Sequence, residues 1–212
     1  MIVTEKETEG FLQALGFPVI QRVYCESITQ CERAAMKLGY PVAMKISSPS
    51  ILHKSDVGGV ALDLVNPAMI KQQFTRMKHI KGFQGVMMQE FITGEFLLLG
   101  LKKDPTFGHT VAVGSGGIYT EILHDVSFRV CPINVHDAEE MLEELKIYPM
   151  LQGARGGKDV RKEVVHLLVR LSEMAQNYPM ITELDINPLI LHQDRVVVAD
   201  ARMVVDDALP RS

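Results

Sequence analysis

A chain of 212 residues, 47% hydrophobic and 23% charged, has the composition of an ordinary folded protein and can bury one substantial core, as a single large domain or two small lobes. A formal net charge of −4 argues against a basic nucleic-acid or membrane surface. The longest apolar run, Phe96-Leu97-Leu98-Leu99-Gly100-Leu101, is far shorter than the ~20 residues that cross a bilayer. The Glu/Lys-rich N-terminus does not read as a signal sequence, so a cytoplasmic protein is expected, with neither nucleic acid nor membrane as partner. Cys25, Cys31 and Cys131 form an odd set without C-x-x-C spacing, which predicts buried free thiols and no zinc site.

Thr4 to Glu7 and Ser27 to Gln30 fit the capping box, and Gly39 suits a helix C′ position. Helices are therefore predicted near 5–15 and 28–38, followed by strands over 18–24 and 41–46. The second strand, Val42-Ala43-Met44-Lys45-Ile46, carries one lysine among apolar residues. Val60 to Val65 alternates as a returning strand, and Asn66-Pro67 supplies an N-cap and an N1 proline for a helix over 67–79. Apolar runs near 84–92, 95–102, 109–114, 117–123 and 126–131, separated by Gly, Pro and Asp, predict a mainly antiparallel sheet. Helical spacing over 137–146 and 160–176 and strands near 180–191 and 195–201 complete the chain. The change of style divides it into lobes at 1–92 and 93–212, an α+β arrangement of two α/β lobes.

Chemistry concentrates in three places. The loop Pro49-Ser50-Ile51-Leu52-His53-Lys54-Ser55-Asp56-Val57-Gly58-Gly59-Val60 offers an imidazole, a cation and hydroxyls, with a stiff entry at Pro49 and glycine freedom at its exit. A histidine with an ordinary pKa of about 6.5 presents a neutral nitrogen near pH 7, as a phosphoryl acceptor requires. Glu183-Leu184-Asp185-Ile186-Asn187 alternates polar and apolar, so its oxygen-bearing side chains share one strand face. A two-residue turn at Gln193-Asp194 sets Asn187 opposite Asp200, and Asp185, Asn187 and Asp200 then converge on one hard cation, Mg²⁺ by choice of donors; an ordinary hairpin edge satisfied by Arg202 is the equal alternative. Gly114-Ser115-Gly116-Gly117 and Gly153-Ala154-Arg155-Gly156-Gly157 suit close approach to an oxyanion, or simple turns and connections.

Lys45, the Ser-Pro-Ser-Ile-Leu-His-Lys-Ser-Asp-Val-Gly-Gly-Val run, Gly94-Glu95 with Gly100, Asp104-Pro105-Thr106-Phe107-Gly108, Gly116-Gly117, Arg155-Gly156 and Glu183-Leu184-Asp185-Ile186-Asn187-Pro188-Leu189 together resemble the ATP-grasp β subunit of ADP-forming acyl-CoA synthetases. These are the acetate–CoA ligase group, related to succinyl-CoA synthetase, and the likeness runs in order from about residue 5 to residue 205. The resemblance implies an ATP-grasp fold whose two lobes grip ATP or ADP. It also implies Lys45 on a phosphate with the loop residues Lys54, Ser55, Gly58 and Gly59 close by, Gln89-Glu90-Phe91-Ile92 at the adenine and Glu95 at the ribose. Asp185, Asn187 and Asp200 would hold Mg²⁺, His53 would be the phosphorylated histidine, and Arg155 would join Lys45 in neutralising charge during transfer. No G-x-G-x-x-G unit is present, so the resemblance implies a CoA-binding α subunit as partner, in an α2β2 assembly. One departure is Gly157-Lys158-Asp159, where the family carries a longer segment. The alternative function is a non-catalytic nucleotide-sensing module of the kind fused to protein acetyltransferases; retention of Lys45, His53 and the metal face favours catalysis.

Overall fold

The structure, a computed structural model, describes residues 1–48, 51, 54–116, 125–154, 158–193 and 195–206. It forms two compact units, one of Ile20–Ile92 and one that joins Met1–Val19 to Thr93–Ser212. The sequence division places residues 1–19 in the first lobe, whereas here they group with the unit that begins again at Thr93. There β1 (Ile2–Val3) pairs with the last strand, and Leu12 of α1 (Glu5–Ala14) is part of that unit's core.

In the unit of residues 20–92, β2 (Arg22–Cys25), β3 (Val42–Ser47), β4 (Val60–Leu64) and β5 (Gly85–Glu90) make an antiparallel sheet in the order β2-β5-β3-β4. Two helices, α2 (Ile28–Leu38) and α3 (Pro67–Lys78), bring Cys31, Ala34 and Ala35 and Ile70, Phe74 and Met77 onto Val42, Met44, Val86 and Met88. Each helical set recurs at three- and four-residue spacing, so one stripe of each helix is buried. The Asn66 side chain accepts from the Met69 N–H at 3.0 Å with Pro67 at N1, as the sequence predicts. Ser27 caps α2 through the Gln30 N–H, but the Gln30 side chain returns to the Glu26 N–H one residue early, whereas Thr4 and Glu7 form the complete capping box.

In the other unit, β6 (Glu95–Asp104), β7 (Gly108–Ser115), β8 (Val126–Val130), β9 (Ile181–His192), β10 (Arg195–Val198) and β11 (Ala201–Val205) join β1 in a seven-stranded sheet, with path β1-β11-β9-β6-β7-β8 and β10 also on β9. Helices α4 (Val135–Glu143) and α6 (Arg161–Asn177), with the single turn α5 (Tyr148–Leu151), cover one face. Val164, Leu168 and Leu171 of α6 share a core with Leu97, Leu99, Leu101, Val111, Val113, Leu184 and Ile186. The strand predicted over 18–24 is shorter: Val19 makes only an isolated bridge to Val198 before β2 begins. The strand predicted over 117–123 lies outside the described residues. The three cysteines are free, Cys25 and Cys31 buried and Cys131 half-buried.

Candidate functional site

Lys45 is the only lysine or arginine among the buried described residues, at 7% exposure. On β3 it stands opposite Met87 of β5 and Val60 of β4, while Met44 on the other face enters the helical core. Parity puts Ala43 and Lys45 on the face away from α2 and α3, and Gln89, opposite Ala43, shares that face. Gln89 is also buried. Beyond Gln89, the Glu90 N–H donates to the Gln21 carbonyl at 3.2 Å and the Phe91 N–H to the Pro41 carbonyl at 3.2 Å, so both amides of this connector are spent on holding it; Ile92 is buried.

The turn after His53 is pinned to the same strand. The Ile46 N–H donates to the Gly59 carbonyl at 2.7 Å, the Gly59 N–H to the Lys54 carbonyl at 2.6 Å, and the Gly58 N–H to the Ser55 carbonyl at 3.0 Å. A Cβ on Gly59 would run into the Ile46 side chain, and Gly58 has φ +69°. These glycines therefore serve a close-packed turn rather than a loose exit. By this register Lys45 lies beside the Lys54–Gly59 turn. His53 and Arg155 lie outside the described residues.

The hairpin keeps the register expected of it. Leu189 pairs with Val198, Ile186 with Ala201 and Asp185 with Arg202, and between them the Asn187 N–H donates to the Asp200 carbonyl at 3.1 Å. Pro188 does not disturb this pairing because its carbonyl, accepting from the Ala199 N–H at 3.0 Å, is the group used. The extra residue appears on the other side, where β9 bulges against β6 between Leu97 and Leu99. Leu184 and Ile186 are buried at 1% and 0%, leaving Glu183, Asp185 and Asn187 on the opposite face. Asp185 is half-buried, with Arg202 beside it on β11 and Gly100, which has no side chain, on β6. Burial raises its carboxyl above the ordinary value, Glu183 and Asp200 raise it further, and Arg202 opposes them. Among the described residues no three His, Cys, Asp or Glu side chains group as a metal cluster. The face offers two carboxylates and an amide oxygen, which fits Mg²⁺, a cation that takes one or two carboxylates and fills its other positions with water and phosphate. A cation there would relieve the like charge around Asp185.

A pocket of about 320 Å³ opens beside Glu95, bounded also by Ser115, Gly116, Asp125 and Lys146. Asp125 is 4% exposed, and its carboxylate accepts from the Ser115 hydroxyl at 2.5 Å, the Lys146 N–H at 2.8 Å and the Ile147 N–H at 3.3 Å. A larger pocket of about 530 Å³ runs along α6 and holds none of the expected site residues. Its Arg170 is committed to closing α1, donating to the Leu15 and Gly16 carbonyls at 3.0 and 2.9 Å.

Residues 1–205 match the family model described as "ATP-grasp domain". The chain belongs to the ATP-grasp family. It is 39% identical over 212 residues to the acetate–CoA ligase [ADP-forming] I subunit beta of Pyrococcus furiosus, covering 96% of this chain and 91% of that one. It is 37% identical to the acetate–CoA ligase [ADP-forming] II of Archaeoglobus fulgidus, covering 98% of this chain but 31% of that longer protein. Among solved structures, acetyl-coenzyme A synthetase 1 of Ca. Korarchaeum cryptofilum, in complex with coenzyme A and Mg-AMPPCP and with its phosphohistidine segment pointing towards the nucleotide binding site, superposes with a TM-score of 0.83 at 34% identity, covering 96% of this chain and 92% of that one. The chain therefore has the ATP-grasp fold, and its relatives are ADP-forming ligases. No helix among the described residues is long and apolar enough to cross a membrane.

Not every ATP-grasp motif residue is chemical. Asp104 accepts from the Thr106 and Phe107 N–H groups at 2.7 and 3.0 Å, which holds its carboxyl below the usual range, and Gly108 with φ +77° completes the turn from β6 to β7. Conversely, Asp125 reads in sequence only as punctuation between two apolar runs. Its partners are backbone N–H groups more than twenty residues away, for which no side-chain pattern exists.

Proposed function

We propose that this chain is the nucleotide-handling β subunit of an ADP-forming acyl-CoA synthetase of the acetate–CoA ligase type, moving phosphate between an acyl phosphate, the His53 imidazole and ADP. The overall reaction is acyl-CoA + ADP + phosphate ⇌ acid + CoA + ATP. A neutral imidazole nitrogen attacks the phosphorus of the acyl phosphate, the P–O bond to the acyl group breaks, and the acid leaves as carboxylate. In the second transfer an oxygen of the ADP β-phosphate displaces the imidazole, giving ATP and free histidine. Lys45, carried on a rigid central strand, neutralises phosphate charge, with Lys54, Ser55, Gly58 and Gly59 on the adjoining turn and Arg155 as a second cation. Gln89 to Ile92 meet the adenine and Glu95 the ribose. Mg²⁺, held by Asp185, Asn187 and Asp200, supplies charge neutralisation across the phosphates.

The observation that carries the reading is the polar face of β9. Asp185 is half-buried among like charges, a costly arrangement for an idle hairpin edge and an ordinary one for a cation site, and the backbone pairing of Asn187 with Asp200 sets those two residues opposite each other. Support for a partner comes from the relatives. One is a β subunit of nearly this length, and another is a longer protein of which this chain spans about a third. On this reading the CoA-binding function belongs to an α subunit, in an α2β2 complex. With labelled ATP and Mg²⁺, or labelled acyl phosphate and the partner, the chain should form an acid-labile, base-stable phosphoprotein, and His53→Ala should abolish the label. Undiminished labelling of that variant would refute the role of His53.

A further inference from the structure

We propose that Lys146 contacts the nucleotide in the pocket it lines with Glu95, and that Asp125 is the positioning residue that sets it there; this rests on the nucleotide reading above. The pocket is small, about 320 Å³, the lower end of what small-molecule sites occupy. Its floor is backbone at Gly116, where a Cβ would lie 2.9 Å from main-chain atoms of Phe96 and Leu97, and the Gly116 N–H is fixed to the Phe96 carbonyl at 2.7 Å. Glu95, which opens β6, and Lys146, in the connection between α4 and α5, both line the pocket.

The spacing between these two residues is set by a short chain of fixed links. Leu97, two residues after Glu95, pairs with Ser115 at the end of β7. The Ser115 N–H donates to the Asp125 carbonyl at 2.9 Å and its hydroxyl to the Asp125 carboxylate at 2.5 Å. The other oxygen of that carboxylate takes the Lys146 N–H at 2.8 Å. One buried carboxylate thus locks the strand end to the connection that carries Lys146, and the two bonds its oxygens accept here are charge-assisted. A carboxylate-bearing and an ammonium-bearing residue lining one pocket suit a ligand that presents hydroxyls at one end and negative charge at the other. The sugar–phosphate junction of a nucleotide has that polarity: ribose hydroxyls donate to Glu95, and Lys146 donates to the phosphate next to the ribose.

The test is calorimetric titration of the full chain with ADP and with adenosine, Mg²⁺ present. Lys146→Met should weaken ADP by about tenfold, the scale of one charge-assisted hydrogen bond, and leave adenosine within about twofold. Asp125→Asn should weaken ADP in the same direction by less, and should add nothing in the Lys146→Met background. Unchanged ADP affinity in Lys146→Met, or equal losses for both ligands, overturns the contact; a full extra loss from Asp125→Asn in the double variant overturns the positioning role. Lys45→Met separates the two levels. If it loses ADP while Lys146→Met does not, only the present proposal falls; if Lys45→Met keeps ADP affinity, the nucleotide reading itself falls.

Discussion

Asp125, buried, and Asp185, half-buried, are acids of the same unit, yet they are surrounded in opposite ways. Asp125 accepts two backbone N–H groups and a serine hydroxyl, so its charge is met by donors already in the fold. Asp185 has Glu183 and Asp200 near it and one guanidinium, Arg202, in opposition, and burial raises its carboxyl first and those acids raise it further. Burial alone does not mark a functional carboxylate; the partners do. The first arrangement joins strands and a turn into one block, while the second, on the function proposed above, is completed by a bound cation.

The sharpest way to break this contrast is to remove each side chain in turn. Asp125→Ala leaves two N–H groups and a hydroxyl without their acceptor, and at about 1–3 kcal/mol for each orphaned buried group the loss of stability should reach about 3 kcal/mol. Asp185→Ala removes a carboxylate whose charged form the fold disfavours, so its urea midpoint should stay or rise. Equal destabilisation by the two substitutions would make Asp185 a structural residue like Asp125. The next effect is on ligands: Asp200→Ala should weaken Mg-ADP by roughly tenfold or more while leaving adenosine nearly unchanged, since a lost carboxylate is felt through the cation and the phosphates. Parallel losses for both ligands in calorimetry would point to misfolding instead.

The difference between the two acids also explains what could be read from the chain alone. The register that sets Asn187 opposite Asp200 was legible because strand alternation and a two-residue turn are local rules, and Leu189 opposite Val198 and Asp185 opposite Arg202 follow them. Lys45 was legible as a polar exception in an apolar strand, and the helices starting at Thr4, Ser27 and Asn66 through their caps. Asp125 was not, because backbone donors carry no signature in sequence. Nor was the placement of residues 1–19, which depends on β1 meeting β11 across nearly the whole chain. Asp137 and Asn134 show the intermediate case: they form a capping box that starts α4 two residues before the predicted 137, since asparagine and aspartate can also take the roles usually given to serine and glutamate.

The smallest expected effect tests the contrast most directly, because it moves one charge and leaves both acids in place. The carboxyl of Asp185 is raised, so the native state holds a proton more firmly than the unfolded chain does. Its contribution to stability is therefore full below the ordinary carboxylate value of about 3.9 and is lost as pH climbs through the raised value. A cation needs the ionised form, so Mg²⁺ affinity should strengthen over that same window, in the opposite sense to the stability of the metal-free protein. Glu183→Gln removes the neighbouring charge that raises Asp185 most and should slide both curves to lower pH, whereas Arg202→Gln should slide them upward. Urea midpoints and Mg²⁺ titrations across pH read the two curves independently. Were Glu183→Gln to leave both in place, neighbouring charge would have no part in poising Asp185, and burial alone would have to account for it.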